Sequence, residues 1–136
     1  MAGYSGTPLA KKLGMKREHV VGLVNEPGHY FQLFSDWPVD IDISADKKKL
    51  KDLIHFFTKE QKDLRKLLPG LKKEMKQDGM IWVSWPKKSA KVETDITEDV
   101  IREFALSIGL VDIKVCAVDE MWSGLKLVIP VAMRKG

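Results

Sequence analysis

The residues of this chain that could bind a ligand are polar and aromatic side chains at or just after the ends of predicted strands. In open α/β sheets, ligands bind beyond the carboxyl ends of parallel strands, where the winding of the chain reverses. Aromatic rings stack on flat ligands, and ammonium groups neutralise anionic ones. The sequence therefore predicts one crevice for a small anionic or nucleotide-like ligand, lined by Asn25, Tyr30, Trp85, Lys87, Asp119 and Trp122.

The tryptophans of this set also have a purely structural interpretation. Trp82 and Trp85 lie three residues apart, hence on opposite faces of a strand, and Trp82 is expected in the core. Trp85 and Trp122 could instead close the end of the sheet against segment 1–14. The sequence leaves both interpretations open.

The other candidates for chemistry do not form a recognisable catalytic or metal site. His19, His29 and His55 are scattered, and no spacing of His, Cys, Asp or Glu is typical of metal ligands. His55 lies in an apolar run and is expected to be a buried histidine with satisfied hydrogen bonds. The single Cys116 is expected to be a reduced, buried thiol. We expect no metal and assign no catalytic residue.

Composition predicts one globular domain over residues 1–136, with residues 1–17 forming an arm and a short helix. The chain is 44% hydrophobic and 31% charged, and it has no apolar run of membrane-spanning length. We expect no signal peptide, because no apolar run follows the charged residues near the start. We expect a cytoplasmic protein that does not associate with membranes. The net charge is +4, and residues 46–76 hold eleven Lys and Arg against five Asp and Glu. This segment predicts a solvated basic face or attraction to anionic partners.

The amino-terminal half is predicted to contain two short helices and three strands. Thr7 as N-cap and Pro8 at the first position predict a helix that ends at Gly14. A second short helix is expected near 30–35. Apolar or alternating runs predict strands at His19–Val24, at Val39–Ser44 near a sheet edge, and at Leu50–Phe57, where periodicity alone also allows a helix.

The carboxy-terminal half is predicted to alternate helices and strands. Apolar spacings of three and four predict a long helix over Lys59–Lys76, capped by Thr58, kinked or broken at Pro69-Gly70 and closed by Asp78-Gly79. Thr97 is the expected N-cap of a helix that ends at Gly109. The remaining strands are predicted at Met80–Trp85, Val111–Val118 and Leu125–Val131, and the last of these is expected to run antiparallel to its neighbours. The expected spatial order of all six strands in the sheet is 39–43, 18–24, 50–57, 80–85, 125–131, 111–118.

One crossover is too short for a helix. Only Ser44–Lys51 joins the second predicted strand to the third. One sheet face should therefore be thinly covered. It is either open to a partner or covered by residues 1–17.

The segment Leu71–Pro86, with its helix end, Gly turn and buried strand, is similar to the piece that leads into the fifth strand of class I S-adenosylmethionine-dependent methyltransferases. From residue 50 onward, the element order resembles the carboxy-terminal half of that fold. The chain also resembles a family of small bacterial proteins of unknown function, through 4–14, 82–88, 94–100 and 115–126. The resemblance implies an α/β, three-layer, Rossmann-like, truncated methyltransferase-like fold with a mainly parallel sheet. It implies no activity.

The chain departs from methyltransferases where the cofactor would bind. The loop after their first strand carries three closely spaced glycines, whereas residues 23–30 hold Gly28 alone, beside Pro27. The acidic residue expected after the second strand could only be Asp42 or Asp46. We therefore expect S-adenosylmethionine to bind weakly or not at all, and no cofactor is assigned.

Three functions remain open at this point. The first is a domain that binds a small anionic ligand or a protein partner without a reaction. The second is a reduced S-adenosylmethionine-dependent methyltransferase. The third is a nucleic-acid-binding module that uses residues 46–76, although its only aromatic residues, Phe56 and Phe57, lie in a strand expected to be buried.

Overall fold

The computed structural model describes residues 6–135, which form a six-stranded sheet covered on both faces. Its spatial order is β2-β1-β3-β4-β6-β5, the predicted one. The first four strands in that order are parallel, and β6 runs antiparallel to both of its neighbours. The strands are β1 Val20–Val24, β2 Asp42–Ile43, β3 Lys51–Phe57, β4 Met75–Pro86, β5 Val111–Ala117 and β6 Trp122–Val128.

Two longer helices cover one face of the sheet, which we call the helical face. They are α2 Gln61–Glu74 and α3 Glu98–Ser107, and they pack against a cluster that includes Phe56, Val83 and Trp85. Neither they nor any other helix within residues 6–135 is long and apolar enough to cross a membrane.

The opposite face, which we call the aromatic face, is covered by shorter pieces of chain. These are α1 Leu9–Leu13 and the 3₁₀ helix Tyr30–Leu33, which pack on Phe57, Trp82 and Trp122. Two further 3₁₀ helices lie at Lys88–Ala90 and Val131–Met133. Within the predicted arm 1–17, residues 9–15 cover this face, and residues 1–5 lie outside the described part of the chain.

Two predicted helix caps are wrong, because carboxylates that are distant in sequence accept the hydrogen bonds of the first backbone N–H groups of α1 and α2. Thr7 does not cap α1; Asp36 accepts hydrogen bonds from the backbone N–H groups of Ala10 and Lys11, at 3.0 and 3.1 Å. Thr58 does not cap α2 either. Asp95 accepts from the backbone N–H of Gln61, the first residue of α2, at 2.8 Å. Both caps lie more than twenty residues away in sequence, beyond the reach of a local motif.

The third predicted cap is confirmed. Thr97 Oγ1 accepts a hydrogen bond from the backbone N–H of Val100 at 3.2 Å. α3 ends just before Gly109, which has a positive φ of 85°.

The boundary between α2 and β4 differs from the prediction. The helix runs without interruption through Pro69 and Gly70, and β4 begins at Met75. Asp78-Gly79 therefore lies inside β4 and does not close the helix. The pairing of β3 with β4 shifts register between Lys51 and Leu53. At Gly79 a Cβ atom would lie 2.9 Å from the carbonyl oxygen of Lys51, so this irregularity requires a glycine.

The edge strand and the final strand also differ in extent. β2 has two residues instead of the predicted six, and β6 begins at Trp122 instead of 125. β2 remains at the sheet edge, and no helix lies between it and β3.

Candidate functional site

The chain leaves β1 and β3 toward opposite faces of the sheet. After β1 it forms the 3₁₀ helix that contributes Tyr30 to the aromatic face, and after β3 it forms α2 on the helical face. Because β1 and β3 are neighbours and parallel, a crevice opens between their carboxyl ends. This point is the topological switch of the sheet.

A cleft of about 390 Å³ occupies this position, and we call it the switch-point cleft. Four of its polar residues, Thr58 among them, carry donors or positive charge, and two carry carboxylates. Parts of two buried aromatic rings form its apolar wall. Its lining includes Asn25, His29, Phe57, Lys59, Glu60, Asp63 and Trp122.

Asn25 stands directly after β1 in a left-handed backbone conformation, with a φ of 58°. Asparagine tolerates this region better than most side chains, and glycine adopts it most easily. Asn25 is exposed and lies at the start of the loop where methyltransferases carry glycines. Gly28, the one glycine in this loop, is also exposed, and a Cβ atom there would contact nothing within 4 Å. The described structure therefore gives Gly28 no steric reason to be a glycine.

Asp119 organises the turn between β5 and β6 at the rim of the cleft. Its Oδ1 accepts from the backbone N–H groups of Met121 and Trp122, at 2.8 and 2.7 Å. Its Oδ2 lies 3.3 Å from Nε2 of His29, which lines the cleft. Asp119 thus fixes the position of Trp122 and holds the imidazole of His29 at the rim.

Trp122 and Tyr30 are buried under this end of the sheet. Trp122 is 5% exposed, and its indole N–H is the one buried side-chain polar atom in residues 6–135 without a hydrogen-bond partner. Tyr30 is 1% exposed, and its hydroxyl lies 3.0 Å from Nδ1 of His55. Burial raises the pKa of Tyr30, so the phenol stays protonated.

His55 is buried and hydrogen-bonded, as the sequence predicted. Its Nε2 lies 2.8 Å from Oγ of Ser84, and both side chains are fully buried. Burial lowers the pKa of His55 to about 3, so the imidazole is neutral. In one consistent arrangement, Tyr30 donates to Nδ1 and Nε2–H donates to Ser84. The three groups form a structural network without access to a ligand.

Trp85 and Lys87 lie at the same end of the sheet but in a different cleft. This second cleft, of about 700 Å³, lies between the end of β4 and the start of α3, and it is also lined by Lys88 and Thr97. Trp85 packs on the helical face, and Trp122 packs on the aromatic face. The backbone N–H of Lys87 donates to the carbonyl of Met121 at 2.8 Å, which joins the two regions.

The six predicted site residues therefore gather at one end of the sheet and divide between its faces. Asn25 and Trp122 line the switch-point cleft, and Asp119 lines a neighbouring pocket and contacts His29 of this cleft. Trp85 and Lys87 line the second cleft, and Tyr30 lies in the core. Sequence reasoning missed the four ionisable residues that line the switch-point cleft, namely His29, Lys59, Glu60 and Asp63. The strand-end rule would have found them if it had been applied to the whole connection after each strand.

The described residues offer no metal or thiol chemistry at these clefts. No group of three or more His, Cys, Asp or Glu side chains within residues 6–135 is placed to hold a metal ion. Cys116 is half-buried on β5, and burial raises the pKa of its thiol, which disfavours the nucleophilic thiolate.

The sheet order, the antiparallel final strands and the helices on the helical face define a Rossmann-like fold of the methyltransferase-like type. Solved structures with this fold include a protein assigned as a type 11 methyltransferase from Sulfolobus solfataricus, with 16% identity, a TM-score of 0.61, and 94% of this chain and 93% of that chain covered. Another is the ribosomal protein L11 methylase from Lactobacillus delbrueckii subsp. bulgaricus, with 14% identity, a TM-score of 0.58, and 88% and 73% covered. A third, in the NADB-Rossmann superfamily, is from Streptococcus agalactiae, with 9% identity, a TM-score of 0.57, and 94% and 70% covered. At these identities the likeness shows the fold alone.

The family is established by a match over most of the chain. Residues 39–131 match the model of DUF3052, described as a protein of unknown function, and the chain belongs to that family. A comparison with curated protein sequences gave no match.

Proposed function

We propose that the protein binds a small anionic, nucleotide-like ligand in the switch-point cleft, and we assign no reaction to it. The observation that supports this most is the position of the cleft between the carboxyl ends of β1 and β3. Open α/β sheets bind their ligands at this point, because the connections diverge there and leave room.

The lining residues support a ligand with several kinds of polar group. Lys59 and His29 can face an anionic group, and the amide of Asn25 can donate and accept. The carboxylates of Glu60 and Asp63 can accept from ligand hydroxyl or amino groups. Trp122 and Phe57 are 5% and 1% exposed, so they supply an apolar wall and no open stacking surface.

A ligand panel with matched lysine variants tests this proposal. AMP, ATP, NAD, coenzyme A and S-adenosylmethionine are screened by thermal shift, and any hit is measured by calorimetry. A ligand that binds only the folded state raises the melting temperature. Lys59→Ala should weaken the hit at least tenfold, whereas Lys62→Ala, three residues further on in the first turn of α2 and outside the cleft lining, should not. A panel without any shift, or equal losses in both variants, would contradict the proposal.

A reduced S-adenosylmethionine-dependent methyltransferase is the second candidate, and the fold neighbours favour it. The loop after β1 argues against it, because Pro27 and the single Gly28 replace a glycine-rich cradle. We expect S-adenosylmethionine to bind weakly or not at all. A calorimetric dissociation constant in the low micromolar range would overturn this expectation and favour the methyltransferase.

The nucleic-acid alternative has less support. Phe56 and Phe57, the aromatic residues of the basic segment 46–76, are 0% and 1% exposed, so neither can stack on a base.

For the cellular location, we propose the cytoplasm. The single cysteine, Cys116, is half-buried and free, which is typical of a reducing compartment.

A further inference from the structure

One part of the helical face is not covered by a helix. The chain passes from β2 to β3 through residues 44–50 without one, so a loop alone covers the face of β1 beside α2 and leaves a gap. A groove of about 330 Å³ lies there, which we call the α2 groove. Such a gap is unusual, because parallel strands inside a sheet normally have both faces covered. The lining of the α2 groove includes Gly22, Val24, Lys47, Lys66, Leu67 and Gly70.

The charged residues at the base of the groove are already satisfied. Lys51 is 1% exposed, and its Nζ donates to Oε1 of Glu74 at 2.8 Å and to the carbonyl of Asp46 at 2.6 Å. This lysine joins β3, α2 and the crossover loop. It is therefore a structural ion pair and offers no anchor for a small anion.

The apolar interior and the free charges of the groove lie above this base. Val24 and Leu67 are only partly buried, and both line the groove. Lys47 and Lys66 are exposed and make no ion pair with any residue from 6 to 135. An apolar interior with unpaired lysines at its rim complements a surface that is apolar in the centre and acidic at its edges.

Gly70 is a second, independent feature of this groove. It lies inside α2, where glycine is a poor helix former, and it is exposed. A Cβ atom at Gly70 would contact nothing within 4 Å, so packing within the chain does not require a glycine there. The missing side chain leaves room for another backbone to approach α2 closely.

We propose that the α2 groove docks an acidic amphipathic helix of a protein partner. Apolar side chains of that helix contact Val24 and Leu67, and its flanking carboxylates pair with Lys47 and Lys66. This is the helix-in-groove mode of recognition. A second copy of the chain fits less well, because α2 and α3 use their main apolar stripes, which include Leu64, Leu68 and Ile101, to pack against their own sheet.

Site-specific photo-crosslinking in the native cells tests the proposal. A photoreactive amino acid replaces Ala45, an exposed residue of the groove lining, in the full chain, and the control carries it at Lys62, which is exposed on α2 outside the groove. We expect adducts at 45 and none at 62, and mass spectrometry should place them in a segment with apolar residues at spacings of three and four and flanking Asp or Glu. No adduct at 45 would overturn the proposal. Adducts with a second copy, a basic segment, a lipid or a nucleic acid would do the same.

A synthetic peptide of the identified segment then tests the role of the glycine. Fluorescence anisotropy should show that Lys66→Glu and Gly70→Ala each weaken binding at least tenfold, although Gly70→Ala does not lower the melting temperature. Peptide binding that is unchanged by Gly70→Ala would overturn the proposed close approach to α2.

Discussion

The helical and aromatic faces of the sheet are built by different kinds of contact. On the helical face, α2 and α3 place apolar residues at spacings of three and four over a cluster of mainly aliphatic side chains, with Phe56 and Trp85 among them. On the aromatic face, short irregular segments are fixed by long-range polar bonds, such as that from Trp82 Nε1 to the carbonyl of Leu13 at 2.8 Å. A periodic pattern can be recognised in sequence, whereas bonds between distant residues cannot. Predictions for this face therefore depend on the structure.

The largest expected difference between the faces concerns two tryptophans of β4. Trp82→Ala should lower the free energy of unfolding by about 3–5 kcal/mol, because it removes a fully buried ring. Trp85→Ala should cost less, because Trp85 is 8% exposed and lines a cleft. Urea denaturation of both variants measures the difference. Equal losses would show that Trp85 is as much a core residue as Trp82.

The next effect is a pH dependence that comes from the aromatic face. The pKa of His55 falls from its ordinary 6.5 to about 3 in the folded protein. In the unfolded state His55 therefore binds a proton below pH 6.5, whereas in the folded state it stays neutral until about pH 3. This contribution to stability is complete above pH 6.5 and decreases as the pH falls toward 3, by up to about 1.4 kcal/mol per pH unit.

His55→Gln measures this contribution. The variant keeps a polar side chain but cannot titrate, so its unfolding free energy should fall less steeply than that of the wild type over this pH range. Urea denaturation at several pH values gives both slopes. If the two slopes are equal, His55 does not contribute to acid destabilisation.

A smaller loss of unfolding free energy is expected when a helix cap is removed, either the remote cap of α1 or the local cap of α3. Asp36→Ala leaves the N–H groups of Ala10 and Lys11 without their acceptor, and Thr97→Ala removes the local cap of α3. Each should cost about 0.5–2 kcal/mol. Amide hydrogen exchange should distinguish the two variants. Asp36→Ala should reduce the protection of amides in the segments that cover the aromatic face, and Thr97→Ala should reduce it at the start of α3. Loss of protection in the same segment for both variants would contradict this assignment.

These elements also show how far the sequence could predict the structure. Strand positions followed from the succession of apolar runs, the predicted strand order was that of the methyltransferase-like fold that the sequence resembles, and the cap at Thr97 followed from a local motif. The caps at Asp36 and Asp95, and the register shift beside Gly79, depend on contacts across the fold that no local pattern encodes. For the site, the strand-end rule placed all six residues at one end of the sheet. It could not assign them to faces, because that depends on the strand register.

The smallest expected effect concerns Gly70 on the helical face. Gly70→Ala should raise the free energy of unfolding by up to about 1 kcal/mol, because alanine is the better helix former and a Cβ atom there meets nothing within 4 Å. The matched variant on the aromatic face is Gly124→Ala, where the Cβ atom would lie 3.1 Å from Trp82 Cε3 and should destabilise. Melting temperatures of both variants test the contrast. A loss of stability in Gly70→Ala would show that α2 already packs tightly at this position, and the groove would then be closed to another helix.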